Sequence, residues 1–380
     1  MKNSQVQLPK VCVVKDTPLT YSETFIRHHA ACLGTEPYVF LSFGYKQGLV
    51  PAVLRVVNRV SLALAGKSLL MRFSEMRFRK HLKDSGTEAV LAEFGPTGVS
   101  VKNICASLGI PLVTHFHGYD ASRSDVLRRN KKKYKALFEA STAIVAVSRE
   151  MAETLKGLGA DKDKIFLNSC GVDTEKFKPA DPSSNPPVFL AVGRLVEKKS
   201  PDSTIMAFAR IVDDFPDARL IVVGSGPLHG LCKRIVSDFK LEAKVELRPS
   251  CSHEEVVGLM SQARCFVQHS KVAANGDREG TPVAVLEAGS SCLPVISTRH
   301  AGIKDAVVDE VTGILVDEDD IQAMAAAMRK VAADPCLARR MGLAGRRHVI
   351  AHYSHEVVDA RLREIMMLAF KKNTYESKTR

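Results

Sequence analysis

The residues from Asp277 to Ser290 (Asp-Arg-Glu-Gly-Thr-Pro-Val-Ala-Val-Leu-Glu-Ala-Gly-Ser) set two carboxylates around a helix start. Thr281 and Pro282 predict that start. A hydroxyl N-cap is followed by proline, whose missing N–H costs nothing at the first helical position. Glu287 falls inside the helix and Glu279 in the loop before it. A helix start collects free N–H groups and partial positive charge, so it is an anion site. Two readings stand side by side. In one, Glu279 complements the helix dipole and Glu287 is a solvated helix residue. In the other, a nucleotide diphosphate rests on the helix start, between carboxylates that accept hydrogen bonds from hydroxyls. Thr281 to Glu287 spans roughly 9 Å along an axis rising 1.5 Å per residue, the reach of a diphosphate and part of a sugar.

Three further stretches could join such a site. In Val192-Gly-Arg-Leu-Val-Glu-Lys-Lys199, Gly193 allows a tight strand exit. Arg194 and Lys199 then stand at a strand's carboxyl end, where a diphosphate needs cations; two solvated loop charges are the plainer account. Val223-Gly-Ser-Gly-Pro227 is a second glycine-rich exit, with Gly224 and Gly226. It is not a dinucleotide fingerprint, because a third glycine would fall at position 229, which is His. Thr114-His-Phe-His-Gly-Tyr-Asp120 ends another strand, with His117 and Gly118 facing a cleft and His115 in a structural position. No Gly-x-Ser-x-Gly elbow is present. His-Glu at 253–254 and 355–356 lacks a second His at zinc spacing, so no metal site is expected.

Elements must carry these residues. Strands are expected at Lys10–Val14, Tyr38–Phe43, Ala89–Phe94, Pro111–His115, Ala143–Val147 and Lys164–Leu167. Helices are expected at about Ser22–Cys32, 97–108, 124–140 and 149–158. Such alternation means parallel βαβ units. Phe177 to Pro187 holds four prolines in eleven residues and continues neither helix nor central strand. The linker is placed there, at 179–187, after a first domain at 1–178. The pattern restarts with strands at Val188–Val192, Arg219–Val223, Val245–Leu247, Cys265–Gln268, Pro294–Ser297 and Ile314–Val316. Ser252 and Glu255 form a capping box. Helices at Asp319–Ala332 and Cys336–His352 close a second domain at 188–354, and 355–380 is a helical tail that could return to the first. The expected fold is α/β, two doubly wound parallel sheets with a cleft between them, and ligands at the carboxyl ends of strands.

Composition sets the class. The chain has 380 residues, 45% hydrophobic and 25% charged, as in globular proteins. No run of eighteen apolar residues is present, and the first residues lack the apolar core of a secretory signal. Nine scattered cysteines without a Cys-x-x-Cys argue against disulfides and zinc, and for the reducing cytoplasm. The net charge of +12 is uneven: residues 1–178 carry +11 and the remainder +1. Residues 54–83 hold eight Lys+Arg and one acid among Leu62, Leu69, Leu70, Phe73, Met76 and Phe78. That mixture suits a helix on an anionic membrane surface. Residues 121–135 hold seven Lys+Arg against Asp125, a solvated helix face. With no Trp and few aromatics among these charges, a nucleic-acid-binding protein is disfavoured.

Taken in order, His117-Gly118, Gly193-Arg194-Leu195 with Lys199, Gly224-x-Gly226-Pro227, and Glu279 with Glu287 resemble the retaining, nucleotide-sugar-dependent glycosyltransferases of the two-Rossmann-domain GT-B fold, family 4. Ser22-Glu-Thr-Phe25, His117-Gly-Tyr-Asp120 and Asn275-Gly-Asp-Arg-Glu-Gly280 resemble the branch that builds bacterial exopolysaccharide or lipopolysaccharide. The resemblance implies that Arg194 and Lys199 bind the diphosphate and that Glu287 accepts hydrogen bonds from the ribose. It implies that Glu279, Gly280, Thr281 and Pro282 hold donor-sugar hydroxyls and phosphate, and that His117 contacts the donor sugar. It implies a UDP- or GDP-hexose donor, a saccharide or lipid-linked acceptor, no cofactor and no metal. Retention is attributed in the family to front-face attack assisted by the leaving phosphate. The first loop, Asp16-Thr-Pro-Leu-Thr-Tyr-Ser-Glu-Thr, lacks the family's usual glycine pair, and Ser200 stands where glycine usually follows the lysine. A nucleotide-sugar epimerase or a phosphorylase on the same fold is the alternative.

Overall fold

Apolar strands covered on both faces pair in parallel, and the chain builds two such sheets. The computed structural model describes residues 8–19, 23–40 and 66–378. The first sheet holds β1 (Val11–Lys15), β2 (Tyr38–Val39), β3 (Ala89–Glu93), β4 (Leu112–Phe116), β5 (Ala143–Ala146) and β6 (Ile165–Leu167), in the order β2-β1-β3-β4-β5-β6. The second holds β7 (Val188–Val192), β8 (Arg219–Val223), β9 (Val245–Arg248), β10 (Cys265–Gln268), β11 (Val295–Thr298) and β12 (Gly313–Val316), in the order β12-β11-β10-β7-β8-β9. All pairings are parallel, with Val90 opposite Leu112 and Leu190 opposite Phe266 among the registers. Strand order reverses between β1 and β3 and between β7 and β10, so each sheet opens a crevice at its carboxyl edge.

The expected strands stand within a residue or so of their predicted ends. Residues 41–43 of the expected Tyr38–Phe43 strand, and Ser22 at the start of the first helix, lie outside the described residues. The first helix runs Thr24–Cys32, and later ones include Gly95–Leu108, Ser124–Ala140, Arg149–Gly157, Ile321–Ala333 and Pro335–Tyr353. Both hydrogen bonds of the Ser252–Glu255 capping box are present. Residues 177–187 carry neither helix nor strand. The described part of the 54–83 tract is a helix, Gly66–Asp84. Leu62, and the side chains of Leu69 and Leu70, lie outside the described residues. Phe78 corrects the expectation of a wholly exposed apolar face: it is fully buried against Phe40 and Tyr38, while Met71, Phe73 and Met76 are exposed. One face of the helix serves the core and the other meets solvent. In the second basic tract, Val126, Tyr134, Leu137 and Phe138 are buried while Lys131, Lys132 and Lys133 are exposed, and Asp125 pairs with Arg123 and Arg129. Among the described residues no helix is long and apolar enough to cross a membrane.

The chain crosses between the sheets twice, and the crossings run together. Val172 N–H donates to Tyr353 O (2.9 Å), and His355 N–H donates to Val172 O (3.1 Å). The His355–Lys378 helix then covers the first sheet. Its Leu362, Ile365, Met366 and Ala369 join Val13, Leu91 and Val113 in one core cluster. Polar ties flank that seam: His28 Nε2 with Asp359 Oδ1 (2.9 Å), and Arg363 Nε donating to Cys32 O (3.1 Å). Leu362→Ala removes a fully buried side chain from this seam. The expected cost is about 2–5 kcal/mol, seen as a lower first-domain transition in thermal denaturation with the second domain's unchanged.

Candidate active site

Every predicted site residue falls at or just beyond a strand's carboxyl end, or on the loop and helix that follow. Gly193 leaves β7 and Gly224 leaves β8 (φ +157° and +147°), and these two loops lie backbone on backbone. A Cβ at Gly224 would stand 1.9 Å from Gly193 O, and one at Gly226 2.3 Å from Leu195 O. Leu195 N–H donates to Ser225 O at 3.0 Å. Only bare backbone allows this approach, and it fixes where Arg194 and Lys199 emerge. A small pocket lined by Gly193, Arg194, Lys199, Thr204 and Gln268 opens there. Arg194 is exposed, with no ion-pair partner among the described residues.

Lys199 is less free. Its Nζ lies 3.1 Å from Glu279 Oε1 and donates to Gln268 Oε1 at 3.3 Å. The ammonium neutralises Glu279 without meeting Oε1 in hydrogen-bond geometry, so that buried oxygen keeps an unmet valence. Burial would raise the Glu279 carboxyl, but Lys199 and Lys198 outweigh it and hold it at about 2. Glu279 N–H donates to His300 Nε2 (3.1 Å), and His300 Nδ1 bonds Glu318 Oε1 (2.7 Å). Lys198 ties the same loop through Asp277 Oδ1 and Arg278 O, at 3.2 and 3.1 Å.

The helix start differs from the expectation. The helix runs Val283–Ser290 with Pro282 in the capping position and no side-chain cap. Thr281 is not the N-cap: its hydroxyl donates across the cleft to Val147 O at 2.8 Å. A tertiary acceptor orients the Thr281 hydroxyl, and no side chain caps the local N–H groups. Glu287 lies within the helix as expected, and the solvated alternative fails because it is buried. Burial raises its carboxyl to about 7, against weak lowering by Lys176 and Lys199. Its nearest basic group is His253 Nδ1 at 3.9 Å, beyond hydrogen-bond reach. A buried carboxylate short of donors is suited to accepting hydroxyls from a ligand.

The first domain closes the site. A Cβ on Gly280 would stand 2.1 Å from His117 O, and one on Gly302 1.8 Å from Gly280 O. Asp120 accepts the backbone N–H groups of Gly95, His117 and Gly118 at 2.9–3.0 Å, which shapes the turn after β4. Arg278 Nη1 and Lys304 Nζ both reach Glu150, at 3.2 and 2.6 Å. The His117 ring is not free in the cleft, because its Nε2 bonds Glu93 Oε2 at 2.6 Å. His115 is buried with Nε2 at 3.2 Å from Asn168 O, a structural place. Sequence reasoning missed Glu93 and His29. The signal was a lone acid inside an apolar strand, Ala89-Val-Leu-Ala-Glu93, where an unpaired charge is costly. His29, Glu93 and His115 bring potential ligand atoms within 4.8 Å of one another. Both Glu93 oxygens are already held by imidazoles at hydrogen-bond distance, so the cluster reads as an ion-pair network.

Residues 20–176 match the model for Glycosyltransferase Family 4, and residues 172–348 the model for Glycosyl transferases group 1. The amylovoran biosynthesis glycosyltransferase AmsK of Erwinia amylovora is 33% identical over 256 residues, covering 67% of this chain and 63% of AmsK. WcaL of Escherichia coli, named for colanic acid biosynthesis, is 32% identical over 243 residues, covering 63% of this chain and 60% of WcaL. The chain therefore spans less than two thirds of the length of these relatives. Among solved structures, HepE of Anabaena in complex with UDP superposes with a TM-score of 0.76 at 16% identity, over 94% of this chain and 99% of HepE. At that identity the likeness shows the fold, which is GT-B.

The carboxyl of Glu287 generates a pH test. Hydroxyl donors bind the charged form, so ligand binding must draw off its proton when pH is near or below about 7. Affinity for UDP or GDP should rise between pH 6 and pH 8, and Glu287→Gln should flatten that rise. Titration calorimetry at the two pH values checks it; a wild type as flat as the variant removes Glu287 from the ligand site.

Proposed function

This chain belongs to the group 1, family 4 glycosyltransferases, and from that premise we propose that it moves a hexose from a UDP- or GDP-sugar to a saccharide or lipid-linked saccharide, with retention, in cell-surface polysaccharide synthesis. The observation that carries the reading is the meeting of unlike groups at one place. An exposed cation, a cation paired to a buried carboxylate and a buried carboxylate short of donors stand at the strand ends of one domain, while the other contributes a backbone turn against Gly280. The names of AmsK and WcaL support the polysaccharide part.

In the proposed reaction, Arg194 and Lys199 take the diphosphate. Breaking the sugar–phosphate bond leaves an oxocarbenium-like carbon and a diphosphate anion, and fixed cations beside the leaving group lower that barrier. These cations serve without a metal or cofactor. Glu287 accepts the ribose hydroxyls. Glu279 and the backbone of Gly280, Thr281 and Pro282 hold the donor sugar and phosphate, with Gly224 and Gly226 fixing the neighbouring loop and His117 beside the sugar.

The acceptor side falls to the first domain and its excess charge. On the Gly66–Asp84 helix, Phe73 and Met76 are 45% and 60% exposed beside Arg72, Arg77 and Lys80. Each basic residue near an anionic leaflet is worth about 1 kcal/mol, so three or four engaged together give salt-sensitive adsorption. This supports peripheral attachment to an anionic membrane that presents a lipid-linked acceptor.

Two tests separate these parts. Arg194→Ala should lower turnover by about 10²–10³ with an unchanged melting temperature, because among the described residues the guanidinium has no ion-pair partner to strand. Lys199→Ala leaves Glu279 buried without its ion pair, so it should lower the melting temperature as well as the rate. Normal nucleoside diphosphate release by Arg194→Ala rejects the phosphate role. In co-sedimentation, the protein should bind anionic vesicles more than neutral ones and be released by high salt. Replacing Arg72, Arg77, Arg79 and Lys80 with Glu should abolish this while sparing donor hydrolysis. Indifference of the wild type to anionic vesicles at low salt would favour a soluble acceptor.

A further inference from the structure

The end of β3 buries a carboxylate beneath imidazoles. Glu93 is fully buried, with His29 Nδ1 at 2.8 Å from one oxygen and His117 Nε2 at 2.6 Å from the other. A nitrogen that bonds a carboxylate does so by donating a proton, so the His117 proton sits on Nε2. The ring is only 5% exposed and is held between Phe25 and Phe94, with centroids at 4.5 and 4.9 Å. Its Nδ1 is buried without a hydrogen-bond partner among the described residues.

The ionisable groups around this ring come from several elements. Glu93 faces it from β3, His29 from the first helix, His115 from its own strand, Cys170 from the loop after β6, and Asp120 from its own turn. Cys170 is near enough to act on the ring but is not in hydrogen-bond geometry with Nδ1. Burial would strip the proton from His117. The Glu93 carboxylate at 2.6 Å outweighs burial and raises the imidazole well above its ordinary range. His115 goes the other way: burial and the neighbouring His117 charge hold it well below the ordinary range. One imidazole is therefore selected for the charge and its neighbour is kept neutral.

We propose that Glu93 is a positioning residue for the transfer reaction: it holds the ring of His117, the residue whose backbone carbonyl packs against Gly280, as an imidazolium, so that the first domain brings its own fixed cation to the donor site. The inference rests on the donor-site reading above. His29, on the second oxygen, gives the buried carboxylate its other donor and keeps it ionised. A cation fixed in a closed, poorly hydrated cleft acts on developing negative charge without reorganising. Arg194 and Lys199 act from the second domain, so this third charge joins them only when the two domains meet.

The test uses Glu93→Gln, which keeps the size and loses the charge, with Glu93→Asp as the conservative rescue. Ring-nitrogen NMR, assigned by the signal missing in His117→Gln, should show His117 as imidazolium at pH 7.5 in the wild type and neutral in Glu93→Gln. Release of nucleoside diphosphate from UDP-glucose or GDP-mannose should fall about tenfold or more in Glu93→Gln, with UDP and GDP affinity little changed. The pH profiles carry the sign. A raised imidazole loses its charge only as pH climbs well above the ordinary histidine range, so wild type should keep its activity past neutrality. Glu93→Gln should lose activity as pH rises through the ordinary histidine range, near 6.5. Glu93→Asp should recover part of both the rate and the charge; if Glu93→Gln does not fold, the wild-type spectrum and this variant still decide. His117 neutral in the wild type at pH 7.5 overturns the proposal. So does Glu93→Gln with neutral His117 and wild-type turnover. A wild type that binds neither UDP nor GDP fails differently: it removes the donor site, and a charged His117 is then only structural.

Discussion

Three carboxylates at the strand ends have lost their water, and what each receives in exchange decides its charge. Desolvation pushes all three towards the neutral acid. Glu93 overcomes it with two imidazoles in hydrogen-bond contact, and Glu279 with two ammonium groups. Glu287 has no basic group in hydrogen-bond contact among the described residues, only His253 at 3.9 Å and weak attraction from Lys176 and Lys199, and it ends near neutrality. The order follows distance: Coulomb attraction at contact exceeds the burial penalty, and attraction across several ångströms does not. Cations are therefore held where the fold buries acids, and the one acid left short of partners is the one suited to ligand hydroxyls.

Those distances hold only because backbones touch. The β7 and β8 exits lie against each other at Gly193, Gly224 and Gly226, and Gly280 is caught between His117 O and Gly302. A side chain at Gly224 or Gly280 would drive its neighbour away and carry Lys199 or His117 with it. Bare backbone at these points is thus a condition for the ion pairs. Around them the Thr281 hydroxyl, Glu150 and Asp305 tie the two domains at their surface. Among the described residues these ties are mainly polar, while the His355–Lys378 helix is packed into the first domain's core. The interface is therefore the softer of the two, and the paired crossings at Val172 and Tyr353 are where a hinge would bend.

Much was legible in the sequence because it depends on local pattern. Apolar runs of strand length alternating with amphipathic helices require parallel units, and four prolines between two such series mark the passage from one to the other. The Ser252–Glu255 box and the glycine-rich exits are likewise short-range. Arg194, Lys199, Glu279 and Glu287 could be singled out as candidates because each sits beside a strand end or helix start that the pattern locates. Tertiary structure decided what needs a partner far along the chain. The Thr281 hydroxyl looked like a cap until Val147 O offered it an acceptor from the other domain, and Phe78 looked like membrane face until Phe40 covered it. Glu93 stood out only as a lone acid in an apolar strand; its partners gave no local sign, since His29 and His117 lie 64 and 24 residues away. Sequence fixes which groups are available and on which elements; whether a buried charge is kept, and by whom, is set by distances of a few ångströms that only the folded chain creates.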